Sequence, residues 1–450
     1  MPAHTHPLPA SESLIDIARA IRQRERSAVE TLECHARRIA ELNPTLNAVV
    51  ALDLERAAQR AREADAALAR GDLWGPLHGV PFALKDCHEV AGVPTTAGSK
   101  WFEGYRPPHD GAVMRRLRAA GAILLGRTNV AELLADFQCA NPVHGRTCNP
   151  FDATRTSGGS TGGAAAVASG MTPFDIGTDL AGSIRLPAAF CGVLGLKPTE
   201  HRVSLVGAFP NPQHQPRQVR GMSCIGPLAR HIDDLALLID LLARPSADDM
   251  DVPPVPLTEP AAGAKDLRIA FVPSLDGGPI AATAAQALRR AADTLARGGA
   301  IVEEVATPLT DLPGDLQAHG QMVDMMLGAF QVGDGPKPTF EDHLRAAAQR
   351  EDRAAPLERW FTRWDALLCP VAMTNAFAHC DAGTPIPVDG RPQPYFRIAS
   401  HVAVFNYTGH PALSVPAGFD AHGLPLAVQL VAARWQEGKL FALARALQAR

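Results

Sequence analysis

The apolar residues of this chain come in runs too short to be buried helices, and the runs are spaced by amphipathic segments. GVPFAL (79–84), AILLG (122–126), LRIAFV (267–272), AIVEEV (300–305), ALSVPAG (412–418) and PLAVQLVAA (425–433) each have the length of a buried strand. Helical patterns stand between them. Leu14, Ile17, Ala18 and Ile21 share one helical face, and Ser27-Ala-Val-Glu30 has the form of a capping box opening a second helix that Asn43-Pro44 should stop. Asp53 to Arg70 reads as an alanine-rich helix closed by Gly71, and further helices are expected over 111–120, 231–243, 281–297 and from about Gln436. Strand and helix in alternation require layers, so the expected fold class is α/β: a single large domain over 1–450 with a central mixed β-sheet covered by helices on both faces. The Pro/Asp-rich stretch 244–266 is expected as a surface connection within that domain; a two-domain split there is the alternative.

Composition excludes several functions. A net charge of −4 gives no electrostatic reason to expect nucleic acid or an anionic membrane. No run of eighteen apolar residues occurs, and MPAHTHPLPASES has neither the basic nor the apolar region of a signal peptide. The eight cysteines form no C-x-x-C pair and no His/Cys ligand spacing, so reduced thiols in a cytoplasmic protein without metal are expected. Among 43 basic residues only six are lysines, Lys85 among them, at the end of the first strand candidate.

Glycine is concentrated between Arg155 and Phe190, where it takes seven positions in RTSGGSTGGAAAVASGMTPFDIGTDLAGSIRLPAAF. Such crowding marks close backbone approach or unusual bends. A phosphate loop would need a lysine, and none lies between Lys100 and Lys197; GGSTGG also lacks the G-x-G-x-x-G spacing of a dinucleotide turn. Gly158 to Gly162 does match the G-x-S-x-G nucleophile elbow, but the CNPFDATRTS before it is polar and turn-rich where a buried strand is required. Ser183, preceded by small residues that leave backbone N–H groups uncovered, is a better nucleophile candidate, with Ser160 twenty-three residues earlier. A serine needs a base; no histidine is tied to either serine by motif, whereas Lys85 could serve if burial leaves it neutral.

GVPFALKD around Lys85, SGGSTGG around Ser160 and GTDLAGSIRLPAAFCGVLGLKPT around Ser183 resemble the amidase signature family of Ser-cisSer-Lys hydrolases. GPLAR (226–230), FNYTGHPALSVPAG (405–418) and GLPLAVQLV (423–431) extend the resemblance over most of the chain, with 74–200 as its catalytic core. The resemblance implies Ser183 as nucleophile, Ser160 as bridging serine after a cis bond from Gly159, and Lys85 as terminal base. It also implies an oxyanion hole from the N–H groups of Leu180, Ala181, Gly182 and Ser183, with no metal or organic cofactor. Thr161 and Ala181 depart from the commonest pattern, which has serine and glycine there. Gly159, Asp179 and Arg185 are expected to brace the nucleophile loop. Met322 and Met326, at helical spacing in MVDMMLGAF with Phe330, and Phe209, in the turn-rich 203–223 stretch, are candidate pocket residues against a default of core packing and surface loop.

The function expected is hydrolysis of a small to medium non-peptide amide, with anilides, esters or carbamates as further substrates, by a monomer or homodimer. The alternative is the A-type component of a glutamine-dependent tRNA amidotransferase, which works with partner chains.

Overall fold

In a computed structural model of the chain, residues 12–213, 217, 219–245, 247–275, 278–328 and 337–449 are described. Two sheets carry the site. A three-stranded sheet consists of β1 (Val49–Leu52), β2 (Pro81–Lys85) and β3 (Ile123–Thr128) in the order β1-β3-β2. β2 and β3 run parallel, with Lys85 opposite Thr128. After a two-rung ladder of β4 (Ala140–Asn141) and β5 (Gly145–Arg146) comes the main sheet. It takes β6 (Phe174–Asp179), β7 (Leu194–Lys197), β8 (Cys224–Ala229), β9 (Arg268–Phe271), β10 (Ile301–Glu304) and β11 (Ala366–Cys369). A hairpin of β12 (Ile386–Val388) and β13 (Arg391–Gln393) intervenes before its last two strands, β14 (Ala412–Phe419) and β15 (Pro425–Val431). The order β10-β9-β11-β15-β14-β7-β8-β6 is mixed: the β10/β9/β11 pairs are parallel and the rest antiparallel.

Period-two alternation explains how the main sheet is covered. On β14, Leu413 and Val415 join the cluster beneath the Leu14–Arg22, Ile232–Leu242, Ala282–Arg297 and Glu437–Gln448 helices, while Ala412 joins the core of the other side. The Gly163–Ala168 and Arg185–Cys191 helices belong to that second side. Each fully buried Leu, Val or Phe contributes roughly 1.5–3 kcal/mol. The expected single α/β unit with a mixed sheet covered by helices on both faces is what the fold contains, and 244–266 holds no helix or strand among its described residues.

Three details differ from expectation. The first two strand candidates do not join the main sheet; they form the separate three-stranded one, which abuts the open edge of β6, where Phe82 stacks on Phe174 at 5.2 Å and 7°. The Ala28–Leu46 helix has the Ser27/Glu30 capping box but runs through Pro44. It ends at left-handed Asn47, because Asn43 turns its side chain to the chain end, accepting from Ala48 N and Val49 N and donating to Val49 O. No peptide bond is cis among the described residues, so the linkage expected before Ser160 is trans; consecutive glycines at φ 84° (Gly158) and 55° (Gly159) turn the chain there instead.

Candidate active site

Lys85 closes a strand in which all five residues are buried, and it is itself fully buried. Its Nζ lies 2.9 Å from Ser160 Oγ, 2.9 Å from Thr178 Oγ1 and 3.4 Å from Thr178 O. Burial pushes the amine's pKa below the ordinary lysine value, with the neighbouring Cys87 and Asp175 acting in the opposite sense. A neutral amine in contact with a serine hydroxyl is a competent proton acceptor.

Ser160 is 1 % exposed and Ser183 8 %. The outermost hydroxyl of the group is therefore the one assigned to attack. Ser183 Oγ makes no hydrogen bond among the described residues, and none joins it to Ser160. What places the two serines side by side is Gly159: a Cβ there would stand 3.2 Å from Ser183 Cα and 2.7 Å from Pro187 Cδ. The second turn is made at Gly182, with φ 101° and no room beside Val402 and Leu186 for a side chain.

The loop between them hangs on one ion pair. Asp179 and Arg185, both wholly buried, meet through Nη2–Oδ1 at 2.9 Å and Nε–Oδ2 at 3.0 Å. Burial opposes the Asp179 charge, but the Arg185 guanidinium outweighs it and holds the carboxyl well below the usual carboxylate range. The same carboxylate accepts from the backbone of Gly182 (2.8 Å), Ile184 (3.2 Å) and Arg185 (3.4 Å). Arg185 also donates to Val402 O, Gln429 Oε1 and Asn406 Oδ1, so distant segments converge on it.

The Gly182 amide is thereby committed to Asp179, which removes it from the four expected oxyanion donors. The amides of Leu180, Ala181 and Ser183 have no acceptor among the described residues. His319, on the Leu312–Gly328 helix, donates from Nε2 to Leu180 O at 2.8 Å. In a trans peptide the carbonyl and the following N–H oppose each other, so this bond turns the Ala181 N–H away from His319. Sequence reasoning missed His319 and Thr178; the latter was readable, since GTD lies inside the quoted motif, whereas nothing local marks His319.

Met322 is buried with Met222, Ala318 and Tyr407, and Met326 and Leu180 pack on the same cluster. Both methionines thus stand by the nucleophile loop. Phe209 is not part of that cluster; it is 40 % exposed and edge-on to Phe102 at 5.7 Å. Phe330 lies outside the described residues. No group of three or more His, Cys, Asp or Glu side chains among the described residues is arranged to hold a metal ion, and no helix there is long and apolar enough to cross a membrane.

A hydroxyl at the surface of a buried lysine–serine pair, beside amides without acceptors, has the geometry for acyl transfer to serine. The family model described as Amidase matches residues 30–326 and 325–441, and the chain belongs to that family, the amidase signature enzymes, which act on C–N bonds. Among curated proteins it is 34 % identical to the A-type chain of the glutamyl-tRNA(Gln) amidotransferase of Anaeromyxobacter sp. (strain K), over 94 % of this chain and 92 % of that one. Among solved structures it is similar to a chain from a vestigial protein complex bearing on the origins of an s-triazine catabolic enzyme, with an inhibitor bound (TM-score 0.85, 29 % identity, 97 % of this chain and 98 % of that one). It is also similar to 6-aminohexanoate cyclic dimer hydrolase with its substrate (TM-score 0.83, 28 % identity, 97 % and 96 %).

Proposed function

We propose that the chain cleaves the C–N bond of a carboxamide through an acyl-enzyme on Ser183. The observation that carries this reading is the fully buried Lys85 amine at 2.9 Å from Ser160 Oγ, next to the more exposed Ser183. In this relay the Ser183 hydroxyl passes its proton to Ser160 Oγ. Lys85 then takes a proton through Ser160 as Ser183 Oγ bonds to the amide carbon. The developing oxyanion is met by the acceptor-free amides of Leu180, Ala181 and Ser183, a donor of this kind being worth about 3 kcal/mol of barrier. The proton returns along the same path to the leaving nitrogen, and water repeats the sequence on the ester. No step calls for a metal or organic cofactor.

Two substrate classes fit this chemistry. The curated relatives give more support to the first, a glutamine carboxamide cleaved by an A-type component that passes ammonia to a partner chain in tRNA amidation. The second is a stand-alone cytoplasmic amidohydrolase, monomer or homodimer, acting on a small to medium non-peptide amide, with anilides, esters or carbamates as further substrates. The apolar flank of the nucleophile loop favours it: Leu180, Met222, Met322 and Met326 cluster there, and the nearby Arg350 and Arg353 are already paired with Glu200 and with Asp311 and Asp315. Purified chain alone, given glutamine, a p-nitroanilide and a p-nitrophenyl ester, separates the two. Turnover of the anilide and ester without partners supports the stand-alone enzyme; glutaminase activity with silence on the anilide supports the amidotransferase component. Labelling of Ser160 instead of Ser183 by a fluorophosphonate would reverse the assigned roles.

A further inference from the structure

The chemistry above leaves one buried acid without a task. Asp175, the second residue of β6, is wholly buried. Its two carboxylate oxygens each lie 3.3 Å from Thr128 Oγ1, and one lies 3.5 Å from Thr161 Oγ1. Both threonines are tied to the candidate catalytic pair: Thr128 is the register partner of Lys85, and Thr161 follows Ser160 in the chain. Three residues along the same strand, Thr178 holds Lys85 Nζ. Gly163 supplies the fourth wall, since a Cβ at that position would fall on the Asp175 carboxylate. The last glycine of SGGSTGG is thus needed to seat an acid beneath the lysine–serine pair.

We propose that Asp175 is a positioning residue that fixes the Lys85–Ser160 pair from below and sets the pH at which Lys85 becomes a base. The inference rests on Lys85 being the base in the reading above.

The charged and titratable groups around the pair leave this role to Asp175. Lys85 on β2 and Arg127 on β3 face Asp175; Cys87, Cys139 and Asp179 face Lys85 along with it. Burial pushes the thiols of Cys87 and Cys139 up to about 11 and about 12, so both are neutral near pH 8. His88 is pushed down to about 3, chiefly by burial, and is neutral too. Asp179 is taken by Arg185, and the Arg127 Nε approaches Asp86 at 3.5 Å. Asp175 is held by hydroxyls instead, and burial raises its pKa to about 7. As it ionises, its negative charge stabilises the Lys85 ammonium and defers the appearance of the neutral amine to higher pH.

The test is the pH profile of kcat/KM for wild type, Asp175→Asn and Thr128→Val on whichever amide the wild type turns over. Asp175→Asn removes the anion, so the acidic limb should move down by about one pH unit. Thr128→Val removes a hydroxyl that favours the carboxylate, so its limb should move the same way but less far. A lower plateau rate with an unmoved limb in both variants means Asp175 is only a structural support and overturns the inference. Thr128→Val decides alone if Asp175→Asn does not accumulate as folded protein. Lys85→Ala is the control: retained amide hydrolysis refutes the base assignment itself, whereas its loss together with unmoved limbs refutes only the role of Asp175.

Discussion

Replacing Lys85 by methionine removes the amine while keeping the length and burial of the side chain. Two 2.9 Å contacts are lost, to Ser160 Oγ and Thr178 Oγ1, each worth about 1 kcal/mol net. Relief of the desolvated amine offsets part of this, so folding stability should change by no more than about 2 kcal/mol. Activity should fall much further, because the path that carries a proton to the departing nitrogen has no origin. General acid–base catalysis contributes about 10²–10⁴-fold, or about 3–5 kcal/mol, and that loss is expected on an amide. A phenolate departs without a proton, so a p-nitrophenyl ester should lose at least about tenfold less. The assay is kcat/KM for wild type and Lys85→Met on an amide and an ester with the same acyl group, alongside thermal unfolding. Stability provides a second readout. The folded-state pKa of Lys85 is depressed, so at pH values between it and 10.5 the unfolded chain binds more protons, and wild-type stability rises with pH across that window. The methionine variant lacks this slope. Equal losses on amide and ester, or amide activity within about tenfold of wild type in a folded variant, would refute Lys85 as proton carrier.

Ser183→Ala should abolish both hydrolysis and labelling by a fluorophosphonate, with unchanged unfolding by circular dichroism. Asp179→Asn leaves the buried Arg185 without its counter-charge and should cost about 3–5 kcal/mol in denaturant titration, because breaking one side of a buried pair strands the other. His319→Ala frees the Leu180–Ala181 peptide from its 2.8 Å anchor; kcat should fall about tenfold or more with KM little changed, and His319→Gln should recover part of the loss.

What was legible in the sequence was local. Lys85 stands at the end of an uninterrupted apolar run, and the two serines lie among glycines, so backbone requirements marked them before any contact was known. The capping box at Ser27 and Glu30 is likewise written in four consecutive residues. What escaped depends on distance along the chain. Asn406 and Gln429 reach Arg185 across 221 and 244 positions, and His319 reaches Leu180 across 139. No spacing rule connects such residues; only the packing of helices and strands in the folded chain does. The use of the Gly182 amide by Asp179 was hidden for a different reason, since a string of small residues says that N–H groups are uncovered but not which of them a carboxylate will claim. Pro44 misleads a local reading because a helix-breaking residue in the last turn can be tolerated when a neighbour such as Asn43 takes over the terminal backbone groups.

Lys85 ends β2 of the small sheet and Ser183 follows β6 of the large one, so their alignment depends on the seam between β2 and the free edge of β6. Phe82 and Phe174 are the stacked rings that register this seam. A substitution that let the rings slip past one another would detune proton transfer without altering any hydroxyl or amine, and activity could be graded from outside the reaction centre by adjusting how firmly two ladders are joined.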